Sequence, residues 1–215
     1  MSTVNEPTQG LTAENLESIG GRTHARLDRG PRRYRWSRKQ YMRLADQDFF
    51  RGKRVELIGG DILEMSPMNR PHATCVVFLT EIMVRLFSPI DHVRVQMQFD
   101  LGPNNQPEPD IAVIQGDPRT LKSHPRTALL IIEVSETSLR LDLGQKAGLY
   151  AKAGIADYWV VNLRDSQLVV HRRPEPDPAS PGKFHYAEVT IVPADGSVSP
   201  LARPEARIAV ADILP

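Results

Sequence analysis

From Ala128 to Val134 the sequence runs Ala-Leu-Leu-Ile-Ile-Glu-Val, almost continuously apolar, and the exception is a glutamate one residue from its end. Such a run reads as a strand buried on both faces in the middle of a sheet. An ionised carboxylate there is costly unless something compensates it. A divalent cation at the strand end is one compensation; a structural hydrogen bond or an ion pair with an arginine is the other. Glu133 therefore constrains the whole chain. The remaining elements must cover both faces of its strand and also deliver a partner to its carboxylate.

The flanking sequence supplies elements of both kinds. Ser37 is placed to cap a short helix over Arg38 to Ala45, and Val55-Glu56-Leu57-Ile58 and Asp61-Ile62-Leu63-Glu64-Met65 flank Gly59-Gly60 as a hairpin. Pro71 suits a first helical turn, and Val76, Leu79, Met83 and Phe87 recur at helical spacing, which predicts a long core-facing helix ending at Phe87. Val93, Val95, Met97 and Phe99 alternate with polar residues, the period of a strand, and Pro109-Asp110 opens a second strand, Ile111 to Ile114. Asp142 to Ala153 fits a helix ending near Gly154. Strands follow over Tyr158 to Val161 and Leu168 to His171, as a hairpin, then a proline-rich loop over Arg173 to Gly182 and a last strand over Phe184 to Val192.

A length of 215 residues with 40% hydrophobic and 25% charged content suits one domain with tails. Residues 1–33 lack apolar periodicity and read as a poorly ordered arm, so the expected folded part is 34–215. The segment from Arg22 to Arg43 carries nine arginines and lysines (Arg22, Arg26, Arg29, Arg32, Arg33, Arg35, Arg38, Lys39 and Arg43) opposed by Asp28 alone. Such a run either tracks a phosphate backbone or serves as a solubilising tail. The lone Cys75 excludes a disulfide framework, and no stretch has the pattern of a signal peptide or membrane span. The expectation is a cytoplasmic protein with no membrane partner.

Asp110 and Glu133 gain meaning together. A strand opening Pro-Asp beside an apolar strand ending in Glu-x places two oxygen ligands within reach of one hard cation such as magnesium. Taken singly, an Asp after Pro is as often turn chemistry. Asp142, Lys146 and Tyr150 recur every fourth residue and share a helix face, so one cation can lean over the adjacent strand end. A lone helix lysine is more often solvated.

The ordered set Val55 to Pro67, His72, Pro109-Asp110-Ile111, Ile132-Glu133-Val134-Ser135, Asp142-Leu143-Gly144-Gln145-Lys146, Tyr150, Gly154 and Tyr158-Trp159 resembles the PD-(D/E)XK phosphodiesterase superfamily. Within it the closest likeness is to the bacterial group described as putative restriction endonucleases, over about Trp36 to Ile213. The resemblance implies an α/β fold, a restriction-endonuclease-like mixed central sheet flanked by helices, with an additional N-terminal hairpin. It implies that Asp110, Glu133 and the main-chain carbonyl of Val134 bind Mg2+, or Mn2+ in its place, and that Lys146 positions water or stabilises the phosphorane. Two residues after Glu133, where the broad superfamily places its lysine, stands Ser135, so that role passes to Lys146 on the following helix.

The same resemblance implies a metal-dependent endonuclease hydrolysing phosphodiester bonds in DNA, acting as a homodimer. His72, Glu56, Gln98 and Tyr150 are further candidates to line the site. For His72 a satisfied helix-terminal histidine, and for Gln98 plain solvent exposure, are the structural alternatives. A non-catalytic nucleic-acid-binding or regulatory protein on a nuclease fold is the rival function, and a protein-interaction module a third.

Overall fold

The computed structural model describes residues 31–215. All but the last three residues of the expected basic arm, 1–33, lie outside the described residues.

Helix α1 (Arg38–Asp46) starts in a reciprocal cap, in which the Ser37 hydroxyl accepts from the Gln40 N–H and the Gln40 side chain accepts from the Ser37 N–H. The hairpin follows as β1 (Val55–Ile58) and β2 (Asp61–Glu64), paired antiparallel from Val55↔Glu64 to Ile58↔Asp61. Its two-residue turn needs positive φ at both central positions, and Gly59 and Gly60 adopt +59° and +83°. At Gly60 a Cβ would also come within 2.9 Å of the Arg35 side chain, so glycine is required there twice over.

Helix α2 (Arg70–Phe87) is capped by the Asn69 side chain, which accepts from the His72 N–H at 3.0 Å, and it carries Pro71 in its first turn. The main sheet then forms in sequence order from β3 (His92–Val95), β4 (Ile111–Ile114), β5 (Leu130–Ser135), β6 (Asp157–Asn162), β7 (Gln167–Pro176) and β8 (Phe184–Pro193). Every neighbouring pair is antiparallel except β5 and β6. A parallel pair needs a crossover, which the chain supplies as a π-helical turn, Leu141–Lys146, leading into α3 (Ala147–Lys152). A small pair, β9 (Ser197–Val198) and β10 (Ile208–Ala209), ends the fold.

The two faces of the sheet bury different residues of the same strands. On one, Cys75, Leu79, Met83 and Phe87 of α2 pack on Ile111, Val113, Ile132, Val134 and Trp159. On the other, Ala147, Tyr150 and Ala151 of α3 pack on Ala112, Ile131, Tyr158 and Val160. This is the expected mixed sheet with flanking helices and an N-terminal hairpin. No helix among the described residues is long and apolar enough to cross a membrane.

Three local expectations are corrected. The strand expected to run to Phe99 stops at Val95, because Gln96 takes a left-handed φ of +51° even though its N–H still bonds the in-register Asp110 carbonyl. The helix expected from Asp142 already begins at Leu139, and it is wound as a π-turn over Leu141–Lys146 before it continues as α. Arg173-Pro174-Glu175-Pro176 is strand, not loop. Beyond Arg172, β7 is paired only with β8, so Pro174 and Pro176 sit where one side of the strand has no ladder to break.

Candidate active site

The site is assembled where β1, β5 and the crossover helix meet, beside the start of β4. Strand β4 pairs with β5 as Ile111↔Ile132, Ala112↔Ile131 and Val113↔Leu130. Carrying that register on by one residue brings Asp110 opposite Glu133, where side chains of facing residues stand about 5 Å apart at Cβ. Because β6 runs parallel to β5, the connecting helix must return over the same sheet face, and it lays Lys146 and Tyr150 on Glu133. Lys146 Nζ donates to Glu133 Oε1 at 2.9 Å and the Tyr150 hydroxyl donates to the same oxygen at 2.7 Å.

Glu56 reaches this group from the hairpin. Lys146 Nζ donates to its Oε1 at 3.2 Å and lies 3.0 Å from its Oε2 without the alignment of a hydrogen bond, so Oε2 is buried with no hydrogen-bond partner. Asp142, one turn before Lys146, holds Oδ1 3.8 Å from the ammonium and is likewise left without a hydrogen bond there. Its other oxygen accepts from the Ser138 hydroxyl, which lies 3.2 Å from that of Ser135. The position where the superfamily pattern places a lysine is thus joined through Ser138 and Asp142 to the lysine that stands here. π-turns occur often at functional positions, and this one carries both Asp142 and Lys146.

Asp110 is held by a different set. Its Oδ2 accepts from the Val134 N–H at 2.9 Å, and its Oδ1 lies 3.1 Å from His72 Nε2, 3.2 Å from Gln96 Nε2 and 3.7 Å from an Arg54 guanidinium nitrogen. The main-chain group of Val134 joined to Asp110 is therefore its N–H. Glu56, Asp110, Glu133, Val134, Lys146, His72 and Asp142 line one cleft of about 450 Å³. Tyr150 lies behind Glu133, fully buried. Gln98 is elsewhere: it accepts from the Gln106 side chain at 2.6 Å and lines a separate hollow with Tyr41 and Glu108. Gln96 takes the place at the site that alternation assigned to Gln98, since the positive φ at Gln96 breaks the alternation.

The electrostatics follow from four carboxylates around one ammonium. Burial raises Glu133 well above its ordinary value, and Lys146 offsets that only in part while Asp142, Asp110 and Glu56 add to it. Glu56 and Asp142 are raised for the same first reason, burial, again opposed by Lys146. Burial alone would push the Lys146 ammonium down, but Glu133, Glu56 and Asp142 outweigh it and hold the lysine charged. Asp110 goes the other way: burial would raise it, but His72, the Val134 N–H and Gln96 together hold it below its usual value.

This excess of negative charge bears on whether the site suits a hard divalent cation. The donors are carboxylate oxygens, Glu56 Oε2 and Asp142 Oδ1 are buried without a hydrogen-bond donor, and the four carboxylates outnumber the two cations beside them, Lys146 and Arg54. Among the described residues no three His, Cys, Asp or Glu side chains form a ready cage. Magnesium is commonly held by one or two carboxylates with water and substrate oxygens completing the shell. The chemistry of these donors fits an ion of that kind. Sequence reasoning missed Arg54, Gln96 and Ser138, and saw Asp142 only as a residue sharing a face with Lys146.

Comparison with known proteins gives the family and the fold. Residues 38–211 match the Uma2 family, described as "Putative restriction endonuclease". The fold matches the crystal structure of a putative nuclease belonging to DUF820 from Anabaena variabilis, with a TM-score of 0.63 and 14% identity, over 81% of this chain and 95% of that one. Among curated proteins, none matches the chain.

Proposed function

Given that the chain belongs to the Uma2 family of putative restriction endonucleases, we propose that it is a metal-dependent endonuclease hydrolysing phosphodiester bonds in DNA. The observation that carries this reading is the buried contact of Lys146 with Glu133 in a cleft where Asp110 stands on the neighbouring strand. Glu133 and Glu56 accept from this ammonium, Asp142 lies 3.8 Å from it, and Asp110 faces Glu133 in the register of the neighbouring strands.

In this reading Asp110 and Glu133 hold Mg2+ or Mn2+. When bound, the cation lowers the pKa of a water and neutralises charge on the phosphate. Lys146 presents its ammonium to the negative charge that develops on the phosphoryl oxygens during displacement. Tyr150 and Glu56 orient Lys146 and Glu133, and His72 and Gln96 orient Asp110. The water oxygen bonds to phosphorus, the bond to the leaving oxygen breaks, one proton of the water passes to solvent, and the leaving oxygen takes one up.

Purified full-length chain should cut DNA in the presence of Mg2+. Asp110→Ala and Glu133→Ala should abolish cutting, and Lys146→Ala should lower turnover by about a hundredfold or more while cation binding persists. A second reading, a nucleic-acid-binding or regulatory protein without turnover, draws on the protein donors that already engage both Asp110 oxygens and Glu133 Oε1. It predicts salt-sensitive DNA binding that survives all three substitutions, with no cleavage by the wild type. The homodimer implied by the family resemblance is tested by light scattering of the same preparation.

A further inference from the structure

The nuclease reading leaves open which form of DNA the cleft admits, and the inference drawn here rests on that reading. The reacting groups lie deep: Asp110, Glu133 and Lys146 keep 4%, 3% and 1% of their accessible surface. One wall is the segment after β2, from Met65 to Asn69, and the other runs from Glu136 to Asp142. The Asn69 side-chain amide donates to the Glu136 carboxylate and ties the two walls together. The cleft opens to solvent above, and its free space of about 450 Å³ is of the size that takes a small molecule. Phosphates of a duplex lie on the outside of a wide, stiff cylinder, whereas a single strand bends freely enough to lower one phosphate to buried groups.

Charge and polarity agree with this. Glu64 and Glu136 in the walls add to the four carboxylates below, against only Arg54 and Lys146 as permanent cations. Among the described residues the cleft has no row of cations for successive phosphates of either form, so contacts to the base carry more of the discrimination. Above it stands an apolar shelf. Pro67 is exposed and Met68 is 46% exposed. Met68 Sδ lies 3.0 Å from Gln96 Nε2, the same nitrogen that donates to Asp110 Oδ1 at 3.2 Å. A thioether is a good neighbour for an aromatic face, and unstacked bases offer one.

We propose that the cleft takes single-stranded or splayed DNA, with one phosphate lowered to Asp110, Glu133 and Lys146 and its unstacked base resting on Met68 and Pro67. A blunt duplex is excluded because its bases are stacked and its phosphates cannot reach the floor.

The test uses the full chain, Mg2+ or Mn2+, and three labelled oligonucleotides of one sequence: single-stranded, blunt duplex, and a fork with splayed ends. Cleavage and binding by fluorescence anisotropy are both read. The expected result is at least about tenfold faster cleavage and tighter binding of the single strand and fork than of the duplex. Met68→Glu, at an exposed position, should raise KM for the single strand about tenfold, and more than for the duplex, while circular dichroism holds. Equal or preferred cleavage of the blunt duplex overturns the inference and leaves the nuclease reading standing. No cleavage of any substrate, with single-strand binding that Met68→Glu weakens, sustains the inference on substrate form and removes the nuclease reading. Absence of both cleavage and binding overturns both.

Discussion

Lys146 and Glu133 form a buried ion pair, Nζ to Oε1 at 2.9 Å, between a π-turn and the central strand that it crosses. Both groups are almost fully buried, so each depends on the other and on the pair's neighbours. Lys146→Met removes the only ammonium among Glu56, Glu133 and Asp142, and should destabilise the fold by about 3–5 kcal/mol in urea denaturation. Adding Glu133→Gln should restore part of that loss, because it removes one of the carboxylates left unpaired. If the double variant is no more stable than the single one, the pair is not coupled as described.

Tyr150 donates to the same Glu133 oxygen at 2.7 Å from a fully buried position. Tyr150→Phe keeps the ring and its packing but withdraws that donor. The expected cost is about 1–3 kcal/mol of stability, read from the denaturation midpoint, with a smaller effect on turnover than Lys146→Ala.

Cation binding should be visible without any assay of cleavage. At a Mn2+ concentration about a hundredfold above Kd, stabilisation by about 2.7 kcal/mol follows from mass action. Asp110→Asn and Glu133→Gln should each remove the rise in Tm, and Gln98→Ala, outside the cleft, should keep it. A shift that survives both substitutions would place the ion elsewhere.

The same measurement carries a pH dependence of defined sign. Burial raises Glu56, Glu133 and Asp142. Groups raised on folding stabilise fully below the ordinary carboxylate range, about pH 4, and that contribution is lost as pH rises through their raised values. Asp110, lowered by its hydrogen bonds, opposes this, its contribution being present above its ordinary value and lost as pH falls through the lowered one. A divalent cation favours the ionised carboxylates, so the Mn2+-induced rise in Tm should be greater at about pH 8 than at about pH 5.5. Equal shifts at both would mean that no raised carboxyl loses a proton on binding.

Asn69 has two duties, capping α2 through its oxygen and joining the cleft walls through its nitrogen. Asn69→Ala should cost about 1 kcal/mol through the lost cap. Asn69→Asp keeps the capping oxygen but sets a carboxylate against Glu136, so hydrogen exchange in the segment 65–69 should quicken with little change in the stability of α2. Unchanged exchange would show that the walls are not held by this contact.

What could be read in the sequence was whatever depends on short separations along the chain. The glycine pair at 59 and 60 announces a two-residue hairpin because few other residues accept positive φ twice in succession. The apolar run ending at Glu133 announces a central strand, and the spacing of Asp142, Lys146 and Tyr150 announces a shared face, because periodicity is a property of the local backbone. Tertiary structure decided what meets that face. Glu56 lies 90 positions from Lys146 and His72 lies 38 from Asp110, and no local pattern encodes contacts across such distances. The break at Gln96 is a left-handed φ of +51° that neither residue type nor periodicity announces, and it brings the Gln96 side chain, not that of Gln98, to Asp110 once the segments are packed together.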